Sequence, residues 1–251
     1  MEKLMKLELK KILSKKDVML MITALIIVPA IFSLCIVHKV GGLDFNGQVS
    51  IDDYGIMVWS FLKYLFVLYL VPIHIACSFV GREIENRSIN IMLANETRRK
   101  VILSKILIYA IVVTVFFVLF QVSSLISFVL FVKGTEFATV ITAPVFEIVF
   151  LYLFQWLEMV FVLLMTTLFC CVIKGNAALL LSLGVVIIQK ALINSEAIRR
   201  ILPAYISDYG SYGMIESNKL VNTNLVSLAI YGVIIAVLVF GSFRIWKRRD
   251  F

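Results

Sequence analysis

Charge is the scarcest property of this chain. Only 16% of its 251 residues are Asp, Glu, Lys or Arg, against about 25% in a soluble domain. Histidine occurs twice, as His38 and His74, which fall near opposite ends of apolar blocks. That excludes a His-Glu-x-x-His metal helix, and no Gly-x-Ser-x-Gly elbow or Gly-x-x-x-x-Gly-Lys-[Ser/Thr] phosphate loop is present either. The chain therefore carries no recognisable hydrolytic centre and no P-loop for nucleotide phosphates. The four cysteines, Cys35, Cys77, Cys170 and Cys171, all lie inside apolar blocks. Their spacing fits neither a zinc site nor a secreted disulfide framework, so they read as buried thiols. Basic patches interleaved with stacking aromatics are missing, so the net charge of +8 does not point to nucleic acid. No internal repeat is evident, which argues against an inverted-repeat transporter.

Apolar residues are abundant: 61% of the chain, with a mean hydropathy of +1.01. They come in blocks, and apolar blocks of about 18 residues or more mark membrane helices. Spans are expected at 18–37, 56–80, 101–132, 145–173, 177–193 and 224–243, giving an all-α integral membrane protein of one domain. Pro29 should bend the first span. A glycine-containing loop (Gly41, Gly42, Asn46, Gly47) follows it, and the turn at Lys174 makes the fourth and fifth spans an antiparallel hairpin. Residues 1–17 have helical periodicity. Met5, Leu9, Ile12 and Leu13 share one arc, with Lys3, Lys6, Lys10 and Lys11 largely opposite, as in a helix lying in the headgroup plane. Its lysines precede a long apolar block with no small-residue cleavage site, so it reads as a retained anchor rather than a signal peptide.

Basic residues set the expected orientation. They concentrate in the N-terminal segment, the 81–105 stretch, the Lys174 turn and the tail with Arg244, Lys247, Arg248 and Arg249. The opposite loops carry Lys39, Lys133, Lys190, Arg199, Arg200 and Lys219. The positive-inside rule puts both ends in the cytoplasm, which an even number of spans satisfies.

The most informative stretch is 81–100, charged and helix-compatible between two apolar blocks. Arg82, Glu83, Glu85 and Arg87 form a polar entry. Ile84, Ile91, Met92 and Leu93 give a partial apolar face that Ile89 breaks. A helix of this kind docks in a groove on a soluble partner, or lies at the interface against lipid alone. Ionisable residues inside spans are costly and stand out. Lys63 could pair with Glu147. Glu158, Gln155 and Gln121 reach similar depths and form either a polar cluster facing a cavity or dimer seam, or a structural bond between a protonated Glu158 and Gln121. His74 reads as structural, and the aromatics as interfacial anchors. In the outer segment 194–223, which holds Pro203, Gly210 and Gly213, the spacing of Ile198, Ile201, Leu202, Tyr205 and Ile206 predicts a short amphipathic helix lying on or dipping into the outer leaflet.

The chain resembles the six-span permeases of the type-2 ABC transporter superfamily. These begin with a basic elbow helix and carry, between spans two and three, a loop of the form Glu-x-x-x-Gly-Thr-x-x-x-Leu-x-x-Pro-x-x-Arg-x-x-Ile-x-x-Ser-Lys. Here Glu83 or Glu85, then Arg87-Ser88, Leu93, Arg98 or Arg99, Val101-Ile102-Leu103 and Ser104-Lys105 stand along that pattern, and Trp246-Lys-Arg-Arg-Asp-Phe251 is similar to the family's tail. The Gly-Thr pair is replaced by Arg87-Ser88, and the proline by Glu96 or a neighbour. Size and loops look most like the small lantibiotic or bacitracin immunity permeases. The resemblance implies a coupling helix at 81–100, with Glu83, Ile84, Glu85, Arg87, Ser88, Leu93 and Arg98 facing a cytoplasmic ATPase dimer. It further implies a second permease, the same or different, in the bacterial cytoplasmic membrane. This chain would hold no cofactor, ATP and Mg residing on the ATPase. An ion-coupled transporter or channel using Glu158 and Lys63, and a membrane scaffold subunit, are the alternatives.

Overall fold

A computed structural model describes residues 2–40, 48–139, 144–195, 198–208 and 220–248. Gly41, Gly42, Asn46, Gly47, Gly210, Gly213, Lys219, Arg249 and Phe251, named above, lie outside these residues. The described chain is helical, and six of its helices are long and apolar enough to cross a membrane. α1 (Glu2–Leu13) leads into α2 (Lys16–Val37). α3 (Ile51–Tyr64) and α4 (Val67–Ala76) follow, and a π-helical turn, Cys77–Gly81, joins α4 to α5 (Arg82–Glu85). Then come α6 (Ile89–Asn95) and α7 (Arg98–Ser127), which ends in a second π-turn, Phe128–Val132. α8 (Val145–Val172) and α9 (Gly175–Leu192) form the expected hairpin across Ile173 and Lys174. After a 3₁₀ turn, Arg199–Ile201, and the short α10 (Pro203–Ile206), α11 (Leu220–Arg248) ends the described chain.

α8 is the centre, packed against α4, α9 and α11, while α2 lies along α7. α8 and the 67–85 segment are the most enclosed spans, α2 and α11 the least. The outward faces of these last two carry Leu20, Ile31, Val233, Val237 and Phe240, side chains that suit hydrocarbon. α2 runs through Pro29 unbroken. The Ser33 hydroxyl donates to the Pro29 carbonyl (3.0 Å) and also meets the buried Tyr54 hydroxyl, which pins α3 to α2. Both ends of the described chain lie at one end of the bundle. Glu8 of α1 meets Lys105 near the start of α7, and Arg98 donates to the Lys247 carbonyl of α11 (3.1 Å).

The second span differs from expectation. The block 56–80 is not one helix: it breaks at Leu65–Phe66, where Phe66 takes a left-handed backbone (φ 62°). Such a φ is uncommon for a residue with a side chain. A broken span must have its freed backbone groups satisfied within the protein. The Lys63 carbonyl accepts from Lys190 Nζ at 2.8 Å. The third span starts three residues earlier than expected, at Arg98.

Candidate functional site

The 81–100 stretch is not a single helix. α5 ends at Glu85, Arg87 turns through φ 54°, and α6 begins at Ile89. The fold departs from the apolar stripe read from sequence at Ile89 and Ile91. Ile89, the apparent misfit, is fully buried, Ile84 is nearly so, and Ile91 is 72% exposed. The turn at Arg87 shifts the helical phase, so one period cannot describe both pieces. Arg87, Ser88 and Ile91 form an outward tip, while Met92 and Leu93 are half-buried against the core.

The roots of this tip are fastened. Glu83 is buried and ion-pairs through Oε2 with Lys105 Nζ (2.6 Å) and through Oε1 with Lys11. Lys105 has no solvent exposure. It also pairs with the equally buried Glu8 (2.7 Å) and donates to the Tyr109 hydroxyl (3.2 Å), which donates in turn to Glu8 (3.0 Å). Burial pushes the Lys11 ammonium below the ordinary lysine range, opposed by Glu8 and reinforced by Lys105 and Lys15. Two lysines and two carboxylates thus knot α1, α5 and α7 together. Such a network is tolerated away from water because its charges and hydrogen bonds are mutually satisfied.

Glu85 turns the other way and accepts from the Gly175 amide (2.7 Å), capping the first turn of α9. Gly81 and Gly175 meet there at backbone contact: a β-carbon on Gly81 would come within 2.9 Å of the Gly175 α-carbon. Nearby, His74 Nε2 lies 2.6 Å from Asp17 Oδ2, joining α4 to the start of α2. The knot also turns α1 about its axis. Glu8 and Ile12 face the bundle while Leu9 and Leu13 face outward, instead of one arc holding Met5, Leu9, Ile12 and Leu13.

Midway along α8 sits a second cluster. Lys63 pairs with Glu158 (3.2 Å), not with Glu147, which stays half-exposed in the first turn of α8. Lys63 also donates to the Ser207 carbonyl (3.0 Å) and hydroxyl (2.8 Å), so all three ammonium donors are used. Glu158 accepts from the Tyr69 hydroxyl at Oε1 (2.6 Å) and from the Ser207 hydroxyl at Oε2. The expected Glu158–Gln121 bond is not made. Gln155 is buried about one turn before Glu158 on α8, and Gln121 is buried on α7.

The 198–206 segment divides into an outward-facing 3₁₀ turn, with Ile201 exposed, and a short helix that dips into the bundle. Pro203, Ala204 and Ile206 are buried, and Ser207 enters the bundle to complete the ion pair. Tyr231 of α11 donates to the Pro203 carbonyl (3.0 Å). Beside the cluster, Lys190 Nζ lies over the rings of Tyr64, Phe66 and Tyr69 at 4.9, 4.8 and 5.8 Å, a cation–π arrangement.

Sequence reasoning missed Glu8, Lys11, Tyr109, Tyr69 and Ser207. Only Lys105 left a signal, as an ammonium about one turn inside an apolar run. Among the described residues no group of His, Cys, Asp and Glu is arranged to hold a metal ion. No protein-family model, curated protein or solved structure matches the chain.

Proposed function

We propose that this chain is the membrane-spanning permease subunit of an ATP-driven exporter of the ABC type. It pairs with a second permease and is driven by a separate cytoplasmic ATPase that docks on the 81–98 segment. One observation carries the reading. An exposed tip with an apolar anchor, Ile91, stands on two carboxylates bonded to three different elements. A load on the tip passes through Glu83 to α1 and α7, and through Glu85 to α9. A plain interfacial loop has no need of such fastening. An exposed apolar residue on a short helix is the kind of anchor that fits a groove on a soluble partner.

The basic ends of α1, α7 and α11 share the tip's end of the bundle, which the positive-inside rule assigns to the cytoplasm. The substrate class that fits is an amphipathic, membrane-associated molecule, with an antimicrobial peptide the leading candidate by resemblance. The chain's least enclosed spans, α2 and α11, are open to lipid.

The test is affinity purification from native membranes. A P-loop ATPase should copurify in stoichiometric amount, and Ile91→Asp should abolish its retention without changing the thermal stability of the permease. The reading fails if no ATPase copurifies, or if impermeant labelling places a cysteine at Glu85 on the outer side of the membrane.

A further inference from the structure

Between α3, α7 and α8 lie three polar side chains, Asp53, Gln121 and Gln155, that the described residues do not fully satisfy. Gln121 is 9% exposed, and neither atom of its carboxamide makes a hydrogen bond with a described residue. Gln155, with no exposure, donates to the Ser60 hydroxyl (3.3 Å), but its Oε1 accepts nothing. Asp53 Oδ1 is buried in the same condition, its other oxygen accepting from Ser50. The Gln121 carboxamide lies over Gly55. A β-carbon there would come within 2.5 Å of its Oε1 and 3.1 Å of the Tyr152 hydroxyl, which donates to the Asp52 carbonyl (3.0 Å).

Tyr152, Gln155 and Glu158 follow at three-residue steps on α8, and residues so spaced share one side of a helix, about 5–6 Å apart. Ser60 and Lys63 do the same on α3, opposite Gln155 and Glu158 respectively. The polar row therefore leads from Asp53, at the first turn of α3, to the buried carboxylate of Glu158.

Buried donors and acceptors left without partners are strongly disfavoured, and ordered water is the usual remedy. The groups here need a ligand that both donates and accepts. A metal cation would have no use for the Gln121 NH₂, Asp52 and Asp53 would repel an anion, and an apolar ligand would satisfy nothing. We propose that this seam is a water-binding site. Water held on Gln121, Gln155 and Asp53 connects Glu158 to the aqueous phase at the end of the bundle opposite α1. The site is independent of any ATPase partner.

The experiment is solid-state NMR of the protein in lipid bilayers with isotope-labelled glutamine side chains. The chain has four glutamines, Gln48, Gln121, Gln155 and Gln189, and Gln48 is exposed and serves as the hydrated reference. Gln121→Leu and Gln155→Leu assign the two signals. Magnetisation from water should reach the Gln121 and Gln155 amides at a rate comparable with Gln48, and Gly55→Leu should abolish the transfer to Gln121 while leaving Gln48 unchanged. Absence of transfer to both buried amides overturns the site. Transfer to Gln121 without Gln155 overturns the connection to Glu158.

Discussion

Replacing Lys105 by Met is the sharpest probe of the knot at the α1 end. The ammonium has no solvent exposure and lies 2.7 Å and 2.6 Å from the carboxylates of Glu8 and Glu83. Its removal leaves two buried carboxylates with only the half-buried Lys11 as a cation. Breaking a buried pair from one side costs about 3–5 kcal/mol. At the scaling of a chain of this length, that lowers the melting midpoint by roughly 6–20 °C. A triple variant, Lys105→Met with Glu8→Gln and Glu83→Gln, removes the unpaired charges as well and should recover most of the loss, because uncharged substitutes for a buried ion network are often neutral or better.

Two assays read the outcome. The first is thermal unfolding in detergent. The second is the mobility of a spin label at the exposed position Leu7 of α1, in a background with the native cysteines replaced. Lys105→Met should lower the midpoint and free the label, and the triple variant should reverse most of both changes. If Lys105→Met melts with the parent and its label stays immobile, the knot does not hold α1 and the transmission route through Glu83 is wrong.

Further outcomes follow from the same contacts. Gly81→Ala should destabilise by about 1–3 kcal/mol through overpacking against Gly175, whereas Gly232→Ala, with nothing within 4 Å of a new β-carbon, should be neutral or slightly stabilising in thermal melts. Glu158→Gln should cost far more stability than Glu147→Gln, since only the first strands a buried ammonium. A double-mutant cycle of Lys63→Met with Glu158→Gln should give a coupling in the range of about 0.5–3 kcal/mol, and additive losses would dissolve the pair. The Cys77 and Cys170 thiols lie 3.9 Å apart. Mild oxidation should therefore keep fragments cleaved between residues 85 and 98 together on a non-reducing gel, and free separation would contradict the packing of α4 on α8.

Some of this architecture was legible in local sequence. Span number, helical class, the α8–α9 hairpin and the peculiarity of 81–100 each depend on composition and spacing within a short window, and each appears in the fold. The break at Phe66 was not legible, because the apolar run continues through it unchanged. Nor was the phase shift at Arg87, which turned Ile89 inward and Ile91 outward. Partner choice was missed more widely. Lys63 has Glu147 and Glu158 both available on α8, and no pattern along the chain says which one faces it.

The sequence alone determined that this chain carries six helices long and apolar enough to cross a bilayer, since each such run is written out within a short window. It also determined where the few charges sit along each helix. Only the tertiary structure decided what each charge meets: Glu8 the Lys105 ammonium across 97 residues, Glu85 the Gly175 amide across 90, and Lys63 the Ser207 carbonyl across 144. The physical reason is that a helix satisfies its own backbone locally, whereas a buried charge must be neutralised by whatever the rotation and neighbours of that helix bring within reach.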